Sequence, residues 1–214
     1  YAHIHNSSMI SPKNTLYYIH DPMCSWCWGF NKTWKKVQKL LPNSINVYYV
    51  LGGLAPDSSE VMPNEMREYV QANWKKIQEK IPNTEFNYDF WKECTPIRAT
   101  YPACRAVIAC KNQNPELEIK MIDLIQQAYY LEARNPSKDS KLIELASTLN
   151  LNIEQFTRDL NTKVTQQKLL DDTTLAKSLS INGFPSLVLR KNNSIQHIKI
   201  DYNQPKLIIN QIIT

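Results

Sequence analysis

Two thiols spaced by two residues, Cys24-Ser25-Trp26-Cys27, follow the apolar run Leu16-Tyr-Tyr-Ile19 and precede a stretch with helical periodicity. Sulfurs one helical turn apart can bond to each other or exchange bonds with a third sulfur. A strand over Thr15 to His20 would deliver the chain to a turn at Asp21-Pro22-Met23. Beyond it Cys27, Phe30, Trp34, Val37 and Leu41 recur every three or four residues and mark one buried helix face. Cys24 then stands at the helix start, where backbone N–H groups lack intrahelical partners. With the macrodipole they favour a thiolate over a thiol. That dipole supplies only about 0.3–1 kcal/mol, or ~2 in a partly buried site, so the helix start alone makes a moderately activated nucleophile. Ser25 and Trp26 add no cation.

The other candidate ligands do not build a metal site. Cys94, Cys104 and Cys110 contain no second close pair, and His3, His5, His20 and His197 show no ligand spacing. Cys104 and Cys110 lie six apart on one predicted helix, about 240° around it, and cannot bond to each other. These two and Cys94 read as small buried hydrophobes, with an auxiliary Cys94–Cys104 pair as the alternative. A structural disulfide at Cys24 and Cys27 is disfavoured by their place at the helix entry.

The elements that must position the thiols are legible on both sides of them. Ile45-Asn-Val-Tyr-Tyr-Val-Leu51, ending at Gly52-Gly53, is a second strand, and the right-handed crossover rule makes it a parallel neighbour of the first. Strand character then disappears for more than a hundred residues. Apolar stripes predict helices after Pro63-Asn64, over Ala103 to Cys110 with Pro102 in the first turn, from Asn114-Pro115 through Leu131, over Leu142 to Leu149, over Asn152 to Leu160 with an Asn152/Gln155 capping box, and over Thr165 to Leu179. The stretch 82–98, with Phe86, Tyr88, Phe90 and Trp91, is too aromatic for a free loop and reads as packed. Strands return at Ser186–Arg190 and Ile195–Ile200 around a turn at Lys191-Asn-Asn-Ser194, and Pro205 opens a terminal helix. The order is β-α-β, a helical block, then β-β-α.

With 214 residues the chain can bury a full core without disulfide staples. The net charge of +5 is spread over helical stretches such as Lys75-Lys76 rather than gathered in a basic run, so nucleic-acid binding is not indicated. No apolar segment approaches the ~18–20 residues of a membrane span. The first ten residues read as an extension or a cloning remnant. If Met9 is the native start the protein is cytoplasmic; if a leader was removed upstream it is periplasmic. An odd number of cysteines, five, favours the reducing side.

The phrase Asp21-Pro-Met-Cys-Ser-Trp-Cys-Trp-Gly-Phe30, Gly52-Gly53-Leu54 after the second strand, and Gly183-Phe-Pro-Ser186 before the third resemble DsbA-family thioredoxin-fold oxidoreductases of the FrnE-like branch. The resemblance implies an α/β fold of thioredoxin type, residues 1–55 and 179–214, split by an all-helical insertion over 56–178. It makes Cys24 the exposed nucleophile and Cys27 the buried resolving thiol. Phe184-Pro185 becomes a cis-proline loop facing them, although an X-Pro bond is otherwise expected to be trans. Trp26 would be exposed and line the substrate groove with Phe184 and Pro185; Asp21, Pro22, Ser25 and Trp28 would support the site, Trp28 as either groove or core. The implied activity is exchange with protein or peptide thiols and disulfides through a mixed disulfide, with isomerase as well as oxidoreductase character. No cofactor is needed beyond the redox-active disulfide, with glutathione as a candidate co-substrate, and glutathione or a thioredoxin-type protein as reductant.

Two other classes fit the same scaffold. Kappa-class glutathione transferases and hydroxychromene carboxylate isomerases are similar in fold and insertion, but use a serine or similar group where this chain has Cys24, and need no resolving thiol. A non-catalytic chaperone or binding module would need neither cysteine. Phosphate-cradling glycine loops, His-Glu-x-x-His and the nucleophile-elbow serine motif are missing from the sequence.

Overall fold

The computed structural model describes residues 14–214; the N-terminal extension, with Met9, His3 and His5, lies outside them. Among the described residues a four-stranded sheet has the order β2-β1-β3-β4. β1 (Asn14–His20) pairs in parallel with β2 (Ile45–Leu51), and antiparallel with β3 (Ser186–Lys191), which pairs antiparallel with β4 (Ser194–Ile198). The parallel pair is joined by helix α1 (Ser25–Leu40), as the crossover rule predicts.

β1 is central, and its alternate residues serve two cores. Leu16 and Tyr18 pack with Phe30, Trp34 and Val37 of α1 and with Ile208 and Ile212 of the terminal helix. Tyr17 and Ile19 pack on the opposite face with Val50, Val188, Ala176 and Leu179. Period-two alternation therefore buries both faces of the strand, which explains its near-continuous apolar run.

The helical block runs α2 (Asn64–Lys80), α3 (Phe90–Glu93), α4 (Tyr101–Gln113), α5 (Leu117–Tyr130), α6 (Asp139–Ala146), α7 (Ile153–Asp159) and α8 (Lys163–Ser178), and the chain ends in α9 (Pro205–Ile213). α8 closes the second face of the sheet: its Asp172 carboxylate accepts the Leu51 N–H at 3.0 Å. The thioredoxin-like arrangement with a large helical insertion is thus the fold. None of the described helices is long and apolar enough to cross a membrane.

Several local expectations are corrected. α5 starts at Leu117, not Asn114, because Asn114 Oδ1 accepts the Glu116 N–H at 3.0 Å and folds 114–117 into a turn. Only half of the capping box forms. Asn152 Oδ1 accepts the Gln155 N–H, but Gln155 Nε2 reaches forward to Asp159 and the Asn152 N–H goes to Gln113 Oε1. β4 stops at Ile198 rather than Ile200, and instead of alternating in burial, as the sheet edge it exposes all but its last residue. The 82–98 stretch packs as expected, and contains the short α3. Trp74 is ringed by Phe86, Tyr88, Phe90 and Trp91 at centroid distances of 4.6–6.3 Å.

Candidate active site

β1 ends at His20 and α1 begins at Ser25, so Asp21 to Cys24 must turn the chain from sheet to helix within four residues. Asp21 makes the turn. Its backbone C=O accepts the Cys24 N–H at 3.0 Å, and its carboxylate Oδ1 accepts the Met23 N–H at 2.8 Å. The second oxygen, Oδ2, accepts from the Leu54 N–H at 2.8 Å, the Thr100 hydroxyl at 2.7 Å and the Cys104 thiol at 3.5 Å. One buried carboxyl therefore ties the motif to the post-β2 loop and to the start of α4. Burial pushes its pKa up; the Leu54, Met23, Thr100 and Cys104 hydrogen bonds pull it back.

Cys24 is the N-cap of α1. Its Sγ accepts the Cys27 N–H at 3.4 Å and donates to the Phe184 C=O at 3.7 Å. The Phe184–Pro185 peptide is cis, as the family resemblance implies. Gly52 lets this loop close: a Cβ there would fall on the Phe184 ring. Gly53 turns the chain at φ +70° towards Leu54, whose N–H caps Asp21.

Both thiols are buried, Cys24 at 6% exposure and Cys27 at 1%. The expectation of an exposed Cys24 is corrected, because its sulfur is turned to the Phe184 carbonyl of the cis-proline loop; it still lines a cavity of about 300 Å³ while Cys27 does not. Burial pushes the Cys27 thiol well up, and its hydrogen bond with Cys24 adds to that. Trp26 is half-buried rather than exposed: its ring leans on Tyr202 at 5.3 Å, with the Lys80 ammonium 5.8 Å away. It does line the Cys24 cavity, as does Phe184, while buried Pro185 lies behind the loop.

The supporting residues separate. Ser25 Oγ accepts the indole N–H of fully buried Trp74 at 2.9 Å, pinning α1 to α2. Pro22 is buried in the turn. Trp28 turns from the Cys24 cavity to the insertion, stacking on Tyr130 at 5.5 Å and donating to the Glu85 C=O at 2.9 Å. His20, fully buried and stacked on Tyr18, is held neutral, its pKa lowered by burial to about 3. All five cysteines are free; Cys94 donates to the Ala133 C=O at 3.1 Å while Cys104 is turned to Asp21, so each has a partner of its own. Among the described residues no cluster of three or more metal-ligating side chains forms.

Sequence reasoning missed Thr100, Asn73, Arg98 and Tyr129, which come to the site from the insertion. Thr100 alone left a trace, as a hydroxyl just before Tyr101-Pro102 that looks like a helix cap. Its side chain goes to Asp21 instead.

A family model described as thioredoxin matches residues 17–211, from the first strand to the last helix. The chain belongs to the thioredoxin family. Among solved structures, a candidate protein disulfide isomerase from Nitrosomonas europaea is 25% identical at a TM-score of 0.81, covering 94% of this chain and 96% of that one. The cytosolic disulfide reductase DsbM from Pseudomonas aeruginosa, also solved with GSH, is 23% identical at 0.75, covering 92% and 96%. These DsbA-type thioredoxin-fold neighbours are thiol-disulfide oxidoreductases by description. A curated relative, the ClpXP adapter protein SpxH of Halalkalibacterium halodurans, is 25% identical over 203 residues, 92% of this chain. The thioredoxin-family chain spans 66% of that relative's length and 61% of the Bacillus subtilis one.

Proposed function

We propose that this thioredoxin-family chain is a thiol-disulfide oxidoreductase of the FrnE-like branch, with Cys24 and Cys27 as its redox pair. The observation that carries the reading is the placement of Cys24 Sγ, at the N-terminus of α1 and 3.7 Å from the carbonyl of the residue preceding a cis proline. That carbonyl and its loop offer main-chain hydrogen bonds to an extended substrate segment, a mode tolerant of many sequences.

The Cys24 thiolate attacks one sulfur of a substrate disulfide; the substrate S–S bond breaks, a mixed disulfide forms, and the other half leaves as a thiolate. Cys27 loses its proton and attacks Cys24, releasing the second thiolate and leaving a Cys24–Cys27 disulfide. Two electrons pass from the pair to the substrate, and both departing thiolates take up protons. Run backwards, the pair donates its bond to a reduced protein. Burial of Cys27 holds its thiol protonated until the mixed disulfide forms beside it, which delays resolution and favours exchange with many partners. No cofactor beyond the pair enters these steps. Glutathione or a thioredoxin-type protein would recycle it, and a cytoplasmic placement accords with the description of DsbM as cytosolic.

Equilibration in glutathione buffers of graded potential, followed by alkylation of free thiols, tests the reading. A two-electron transition confined to Cys24 and Cys27, between about −270 and −120 mV, is expected. A midpoint at the low end marks a reductase, at the high end a bond donor, and in between an isomerase. The glutathione-transferase and isomerase alternative is disfavoured by the presence of both cysteines. A second reading, that the scaffold acts as an adapter or binding module, is favoured by the SpxH relatives; it predicts binding that survives Cys24→Ser.

A further inference from the structure

The 300 Å³ cavity beside Cys24 has a wall that is apolar or neutral except at one point. Arg98 is the single formally charged side chain lining it; no Asp or Glu faces it. Every other arginine of the chain is engaged. Arg105 grips Asp57 with both terminal nitrogens at 2.8 and 2.9 Å, Arg134 pairs with Glu144, Arg67 donates to the Trp91 C=O, Arg158 to Gln155, and Arg190 lies 5.4 Å over the Tyr17 ring. Among the described residues, half-buried Arg98 has neither an ion pair nor a side-chain hydrogen bond. Arg98 and Tyr129 line the same cavity, and the arginine's charge opposes the burial that raises the Tyr129 phenol. The Asn73 amide on the same wall is likewise without a side-chain partner.

A guanidinium has five donors and no acceptor, in a planar fork that matches a carboxylate. Lining the cavity beside Cys24 without a protein partner among the described residues, Arg98 has its donors available to a ligand anion. We infer that Arg98, with Asn73, is a receptor for a carboxylate carried close to the reacting sulfur, so that the site prefers acidic thiols and disulfides. The inference rests on the exchange reading above and names its substrate class. The carboxylate has two sources, a small free thiol acid or an acidic residue beside a peptide cysteine, and both present the same group.

The test uses the reduced full chain in single turnovers against 3,3′-dithiodipropionate and the neutral 2-hydroxyethyl disulfide. Each rate is normalised to that disulfide's reaction with free dithiothreitol. In each turnover Cys24 takes one half of the disulfide, the other leaves as a thiolate, and Cys27 closes the pair, so no further reductant is needed. The wild type should favour the dicarboxylate by about tenfold, equivalent to about 1.4 kcal/mol. Arg98→Gln should bring the ratio close to one, and Arg98→Lys should restore part of it. A matched pair of peptide disulfides, with Glu or Gln next to cysteine, separates the sources: a preference only among the small disulfides assigns the site to free thiol acids, and one in both sets to acidic peptides as well.

If Arg98→Gln does not fold, the wild-type ratio between low and high salt serves instead, since an ion-pair preference shrinks as salt rises. A ratio near one in the wild type, a salt-independent ratio, or an unchanged ratio in folded Arg98→Gln overturns the inference while leaving exchange standing. Failure of every disulfide to oxidise the pair is a different result, and removes the exchange reading itself along with the inference.

Discussion

The Asp21 carboxylate accepts four hydrogen bonds, from residues as far away as Cys104, and His20 beside it is buried against the rings of Tyr18 and Tyr49. Asp21 holds the turn that carries Cys24, and neither residue lines the cavity beside that thiol. His20 also makes acid stability testable. Its folded-state pKa of about 3 lies below the ordinary 6.5, so the unfolded chain binds its proton more readily. The stabilisation is complete above about pH 6.5 and is lost as pH falls. Denaturant titrations of the wild type and His20→Phe should diverge between pH 6.5 and 4 by about 3 kcal/mol, the wild type losing more; parallel curves would mean that His20 is charged in the fold. The motif Cys24-Ser-Trp-Cys27 was legible as chemistry because its spacing is local. The carboxyl web was not: the residues marked Asp21 only as part of a turn and the resemblance only as a supporting residue, and its partners Thr100 and Cys104 lie 79 and 83 residues away.

Three elements converge on the thiols: the end of β2, the start of α1 and the loop before β3. Their existence and order were readable from apolar runs bounded by glycine and proline, and the parallel β1–β2 pair followed from handedness. The boundaries that shifted did so because short polar side chains bonded to nearby backbone, as Asn114 does in holding 114–117 out of α5. β2 and the cis-proline loop meet at Gly52, where an added methyl would press on the Phe184 ring. Gly52→Ala should displace the loop whose carbonyl faces Cys24, slowing reaction with a small disulfide by about 10- to 100-fold while costing about 1–3 kcal/mol in stability. Stopped-flow rates alongside urea unfolding read both, and a wild-type rate in the variant would show that the loop does not position the thiol.

Across the whole molecule one apolar cluster runs from Leu16 and Trp34 at the sheet to Trp74, Ile125 and Phe156 in the helical block. Sheet and insertion share this core, and Trp74 is tied to Ser25 in the motif itself. Unfolding in urea should therefore follow a single transition, with far-UV circular dichroism and tryptophan fluorescence coinciding. Separated midpoints would show the insertion melting by itself. The reach of the insertion into the site was illegible in the sequence, since nothing local marks Arg98 or Tyr129 as facing a cysteine more than seventy residues earlier. The most direct measurement on the intact chain is its mass after Cys27→Ser is incubated with an excess of a disulfide-bonded peptide. Cys24 should carry one peptide in a stable mixed disulfide, reversible by dithiothreitol and lost in the Cys24→Ser, Cys27→Ser double variant. An unmodified Cys24, or an adduct that survives in the double variant, would contradict exchange at this pair.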